Sequence, residues 1–248
     1  MTPALSAAAK ADLTPTGKLR VGINYGNFLL VTRGRDGEAS HGIAIDLAQE
    51  LGRRLGVSIE IVGFDGAGAM ADAAKSGVWD AAFLGAEPAR ASEIAFTAAY
   101  LEIEASYLVP AGSPIRTVEE VDRDGVRIAT SEKSAYDLYL SRSLKHAKLI
   151  RAKGIDASFD LFVAQQLDAL SGLKPRLLMD VNRLPGSRIL DGRFTAIQQA
   201  IGTPKARAAG AGYLRAFAED IKTSGLVERT IEKNGVRGVS VAPATLGQ

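Results

Sequence analysis

The segment "GAEPARASEIAFT" (85–97) sets Arg90 just after a Gly and a Pro, three residues before Glu93 and six before Phe96. A guanidinium is planar, permanently charged, and matches both oxygens of a carboxylate, so Arg90 is a candidate anion binder. It is equally readable as a solvated loop arginine paired with Glu87 or Glu93. A second motif competes for attention: "GAGAMA" (66–71) satisfies G-x-G-x-x-A between a strand and a helix, with Glu87 near the distance of a ribose-binding acid, which would mean a nicotinamide-dependent oxidoreductase. It follows the second strand rather than the first, which weighs against that chemistry. The histidines, His41 and His146, lie far apart and suggest no metal site, and there is no cysteine. A G-x-S-x-G elbow and a P-loop are both missing, so nucleophilic and phosphoryl chemistry have no support.

The elements that must position these residues read as alternating strands and helices. "LRVGI" (19–23) is a β-branched run, and "GIAIDLAQELGRRLGV" (42–57) spaces Ile43, Leu47, Leu51 and Leu55 four apart, as an amphipathic helix requires. A strand (58–64), an Ala-rich helix (67–77) and a buried strand (79–85) complete a βαβαβ unit, in which Trp79 reads as packing. A Pro/Gly segment (107–125) leads into a polar helix, and a second α/β unit follows. Its strands are expected at 126–130, 148–152 and 168–172, and its helices at 134–147 and 157–167, with another ending before "LPGSR". Two helices close the chain, at 206–224 and 226–235, while 186–205 has no assigned element. The 248 residues, 46% hydrophobic, suffice for a sizeable core. Thirty Lys and Arg against 28 Asp and Glu give a net charge of +2, which speaks for no nucleic-acid partner. No apolar run is long enough to span a membrane, and the start lacks the basic and apolar regions of an intact signal peptide; a removed one would leave no trace.

Taken in order, "LRVGI", "GIAIDLAQELGRRLGV", "KSGVWDAAFLG", "ARASEIAFTAAY", "SYLVPAGSP" and "GTPKAR…YLRAFAEDIKTSGLVERTIEKNG" resemble the bacterial extracellular solute-binding proteins of family 3, over roughly 18–236. The resemblance implies an α/β, two-lobed periplasmic-binding-protein fold of type II, with two hinge crossovers and the ligand cleft between the lobes. Its expected organisation is a flexible amino-terminal segment (1–17), lobe 1 (18–108 and 192–248) and lobe 2 (109–191). It implies a monomeric periplasmic receptor without cofactor, which takes a small carboxylate ligand and delivers it to the membrane permease of an ABC transporter. Arg90 stands where the family's carboxylate-binding arginine is found. Ser134 and Ala135, at the start of the helix after "VRIATSEKSAY", stand where backbone N–H groups complete the clamp, with Thr130 and Ser131 nearby.

Two departures bear on the ligand. Leu173 occupies the place after "DALSG" where amino-acid receptors carry an aspartate for the α-ammonium, so a carboxylate lacking the amine is favoured, unless the register shifts or Asp65 or Glu87 takes the ammonium. Gly85 replaces a common hydroxyl residue. Selectivity is expected from Tyr25 and Phe28 in "NYGNF" and from Phe64 and Asp65 in "GFDGAG", at strand ends where open α/β sheets place ligands; each aromatic is also readable as core. A catalytic alternative on the same fold resembles cyclohexadienyl or arogenate dehydratase, with Glu87 or Asp65 as general acid.

Overall fold

The computed structural model, described over residues 4–34 and 38–245, folds part of the amino-terminal segment into a helix, α1 (Ala7–Leu13), where a flexible stretch is expected. The cause is local and tertiary together. The Ser6 side chain accepts from the Ala9 N–H at 3.1 Å as an N-cap, and Ala9 and Leu13 are buried. Asp12 then accepts from the Gly210 N–H at 2.9 Å, and its carbonyl from Arg207 Nη1 at 2.9 Å.

The expected βαβαβ follows: β1 (Leu19–Asn24), α2 (Ile43–Leu55), β2 (Ile59–Phe64), α3 (Ala67–Asp72) and β3 (Ala81–Gly85), then β4 (Ile94–Phe96). Strand β1 lies parallel to β2, pairing Leu19 with Ile59 and Asn24 with Phe64, and parallel to β3, pairing Ile23 with Phe83. α2 stops at Gly56, whose φ of 67° is left-handed. The expected 67–77 helix is α3 plus a 3-10 turn, Ala73–Ser76.

Farther along come β5 (Leu101–Val109), β6 (Arg127–Ser131), α4 (Ala135–Ser143), β7 (Lys148–Ala152), α5 (Ile155–Ala164), β8 (Ala169–Leu173), α6 (Lys174–Val181) and β9 (Arg188–Ile189). Between β5 and β6 the expected polar helix is one 3-10 turn, Glu119–Val121, with Glu120 accepting from the Arg116 N–H. The chain closes with β10 (Thr195–Pro204), α7 (Ala208–Thr223), α8 (Leu226–Lys233) and β11 (Val239–Val241).

These elements form two compact units: Met1–Glu102 with Gln198–Gln248, and Ile103–Ile197. The boundaries fall inside β5 and β10 instead of at 108/109 and 191/192. Continuous strands run through both points, whereas the Pro and Gly that suggested a boundary lie beyond the end of β5. In unit 1 the strand order is β2-β1-β3-β10, with β10 antiparallel to β3. In unit 2 the order is β5-β8-β6-β7; β6 is parallel to both neighbours and β5 is antiparallel to β8. Tyr107, Ile128 and Leu140 pack in one apolar cluster of unit 2, and Leu108, Ala129, Phe159, Phe162 and Leu177 in another.

Unit 1 also buries a charge. Asp80, 0% exposed just before β3, accepts from the Arg20 backbone N–H, from Arg20 Nε at 2.9 Å and Nη2 at 2.7 Å, and from Arg207 Nη1. Two guanidinium groups thus tie β1, β3 and the approach to α7 at the amino edge of the sheet.

Candidate functional site

The parallel strands β1, β2 and β3 end at the same edge of unit 1, and the candidate residues of this unit follow them. Gly85 closes β3, and a 3-10 turn, Pro88–Arg90, follows at once, with Pro at its start. That turn folds Arg90 back on the strand, and its Nη1 donates to the Gly85 carbonyl at 2.6 Å. Arg90 is 5% exposed, so it is not a solvated loop arginine, and Glu93 is paired instead with Lys75 at 3.5 Å. Burial lowers the Arg90 guanidinium to about 10, against the opposing charges of Glu87 and Asp72. Glu87 is itself buried. The Gly85 carbonyl thus fixes the direction of the Arg90 side chain.

Tyr25 and Asp65 directly follow the paired ends of β1 and β2. The Tyr25 N–H donates to the Phe64 carbonyl at 2.8 Å, and its hydroxyl shares a hydrogen bond with Ser40 at 2.8 Å. Gly63 makes room for the ring: a Cβ there would lie 2.4 Å from it. Arg33 joins them, 2.9 Å from Asp65 Oδ1 and with its Cζ 4.2 Å above the Tyr25 ring. Sequence analysis does not single out Arg33, because nothing local ties it to either partner. Phe28 is exposed, whereas Phe64 packs against the core that holds Met70 and Trp79. Trp79 is fully buried and donates its indole N–H to the Met70 carbonyl. "GAGAMA" is itself the N-cap and most of the short α3, so its glycines form no loop ahead of a helix, as a dinucleotide cradle would need.

In unit 2, Ser134 is the N-cap of α4, and its hydroxyl accepts from the Asp137 N–H at 3.0 Å. Its own N–H donates to the Ser131 carbonyl at 3.1 Å, so both groups serve the turn. The donors a helix start leaves without intrahelical partners are then those of Ala135 and Tyr136. Tyr136 was not foreseen. Burial raises its hydroxyl to about 12, while hydrogen bonds with Ser134 and Ser131 and the Arg176 charge act against the rise. Thr130 is fully buried. Leu173 ends β8 opposite Ala105 and is the N-cap of α6, where it offers no side-chain hydrogen bond. Among the described residues no cluster of three or more His, Asp or Glu could hold a metal, and no helix is long and apolar enough to cross a membrane.

Known proteins match this arrangement at the level of fold and family. A mutant of ArgBP from T. maritima superposes with a TM-score of 0.75 at 21% identity, covering 92% of this chain and 99% of that one. The solute receptor for L-cysteine of Neisseria gonorrhoeae gives 0.76 at 19%, covering 94% and 96%. An ancestral amino acid-binding protein, a precursor of cyclohexadienyl dehydratase, gives 0.73 at 20%, covering 91% and 98%. At such identities the likeness establishes the fold, that of the two-lobed periplasmic binding proteins. A search of curated proteins finds no match. The family profile of the bacterial extracellular solute-binding proteins, family 3, matches residues 19–235, most of the chain, and the protein belongs to that family.

Proposed function

We propose that this protein is an extracytoplasmic receptor that captures a small carboxylate-bearing ligand, an amino acid or related organic acid, and delivers it to the membrane permease of an ABC importer. The observation that carries the reading is Arg90: a guanidinium 5% exposed, at the carboxyl edge of a parallel sheet, steered by the Gly85 carbonyl. Burying a cation is costly, and a ligand carboxylate offsets that cost through charge-assisted hydrogen bonds. The α4 start offers further anion donors in the Ala135 and Tyr136 N–H groups. Leu173 presents no carboxylate to an α-ammonium, and Asp65 is already engaged by Arg33. Both features favour recognition through the ligand's carboxylate.

The test is native mass spectrometry of the protein as purified, then identification of whatever denaturation releases. The expected result is a low-mass acid recovered unchanged, and absent from Arg90→Lys prepared in the same way. A ligand with no acidic group would overturn the reading. The dehydratase alternative is addressed by assaying prephenate and arogenate turnover. Of its two candidate acids, Asp65 has a side chain 93% exposed and paired with Arg33, so Glu87, which is buried, is the one to substitute beside the assay.

A further inference from the structure

An aromatic face and a carboxylate stand side by side at the carboxyl edge of unit 1, in Tyr25 and Asp65. Such a pair is a subsite for a cation: the ring attracts positive charge to its face, and the carboxylate accepts charge-assisted hydrogen bonds. The chain itself supplies that cation. Arg33 lies with its Cζ 4.2 Å above the Tyr25 ring and its Nη2 2.9 Å from Asp65 Oδ1.

The aromatic half of the subsite is anchored, whereas its carboxylate and its occupant both reach into solvent, with 93% of the Asp65 side chain exposed. Ser40 and the Phe64 carbonyl hold Tyr25, and the ring lies over Gly63. A Cβ at Gly26 would come within 2.8 Å of the Asp65 carbonyl, so the two loops touch backbone to backbone. Arg33 approaches from the loop before α2, with 60% of its side chain exposed. Exposed ion pairs and cation–π contacts are individually weak. A ligand cation could therefore displace Arg33, at a cost in affinity.

We propose that Arg33 is a specificity-determining residue: it fills the cation subsite of Tyr25 and Asp65, so that the receptor discriminates against ligands with a guanidinium or ammonium at their far end. The proposal rests on the reading that this edge of the sheet receives the ligand. Discrimination on the order of tenfold matches contacts of this strength.

The first arm of the test uses methylguanidinium, with methylurea as its uncharged counterpart, titrated into protein carrying 13C-labelled tyrosine rings; Tyr25→Phe identifies the Tyr25 signals. Arg33→Ala is expected to bind methylguanidinium at least about fivefold more tightly than wild type at Tyr25, to ignore methylurea, and to lose the gain when Asp65→Asn is added. The second arm compares arginine with citrulline, which share an α-carboxylate and differ in the terminal cation. Arg33→Ala should move their affinity ratio about tenfold towards arginine. Equal responses of wild type and Arg33→Ala to methylguanidinium, or an unmoved ratio, would overturn the proposal. Methylguanidinium has no carboxylate, so its arm is decided without Arg90. Loss of every acid from all variants, beside the expected methylguanidinium response, would instead overturn the carboxylate reading and leave the subsite standing.

Discussion

The two edges of the unit 1 sheet both hold arginine beside buried carboxylates, but they use it differently. At the amino edge, Arg20 meets Asp80 in paired hydrogen bonds, which raise its guanidinium above the ordinary value, with Arg207 on the same carboxylate. At the carboxyl edge, Arg90 donates to a backbone carbonyl, and burial outweighs the nearby charges to lower it to about 10. The first arrangement is matched within the fold and holds strands together. The second is a cation buried at the end of β3, with the charges of Glu87 and Asp72 nearby. Amino-acid type alone does not separate these environments; burial and the hydrogen-bond partner do.

The sharpest way to break this comparison is Asp80→Ala. It leaves two guanidinium groups without their shared carboxylate, and a loss of about 3–5 kcal/mol of stability is expected from chemical denaturation. An unchanged unfolding midpoint would remove the structural role from the amino edge. Next in size is Arg90→Lys, preferred over alanine because Arg90 is buried and truncation would also leave a cavity. A lysine keeps the charge but loses the planar fork, so calorimetry should show binding weakened by about 1.5–3 kcal/mol, with a far smaller change in stability than Asp80→Ala. The reverse pattern, intact binding and a large stability loss, would make the two edges alike.

Leu173→Asp sharpens the picture from unit 2. An aspartate at the N-cap of α6 can accept from the first-turn N–H groups and face a ligand ammonium, so preference should move about tenfold, near 1.4 kcal/mol, towards the amine-bearing member of a matched ligand pair. A wild type that already prefers the amino acid would place the ammonium on another residue, with Glu87 the first to test. The smallest effect concerns an ion cluster away from both edges. The Arg53 hydrogen bond, opposed by partial burial and joined by Arg54, lowers Glu50 from 4.5 to about 2. A depressed carboxylate stabilises the fold fully above about pH 4.5 and loses that contribution as the pH falls towards about 2. Glu50→Gln should therefore flatten acid unfolding across that window, by no more than about 1 kcal/mol for a pair this close to solvent.

Much of the fold is legible before any coordinates. The four-residue spacing of Ile43, Leu47, Leu51 and Leu55 gives α2, and the β-branched and apolar runs give β1, β2 and β3, because side-chain periodicity is a local consequence of backbone geometry. β10 is missed: its mixed "TAIQQAIGTP" shows its strand character through antiparallel pairing with β3. α1 carries a Ser cap and an Ala run, yet it is held through Asp12 by residues near 210. The 3-10 turn at Glu119–Val121 has helix-forming residues but no long apolar face to dock.

What the sequence determines by itself is therefore the order of strands and helices and the types of residue placed at strand ends: an arginine after β3, aromatics and an aspartate after β1 and β2. Only the tertiary structure decides which charge meets which. It sets Arg33 beside Asp65 across 32 residues and Arg207 beside Asp80 across 127, and it buries Arg90 against its own strand. The reason is physical: periodicity is written in neighbouring residues, whereas ion pairing and desolvation depend on distance through space and on the water excluded there, which strand register and packing determine.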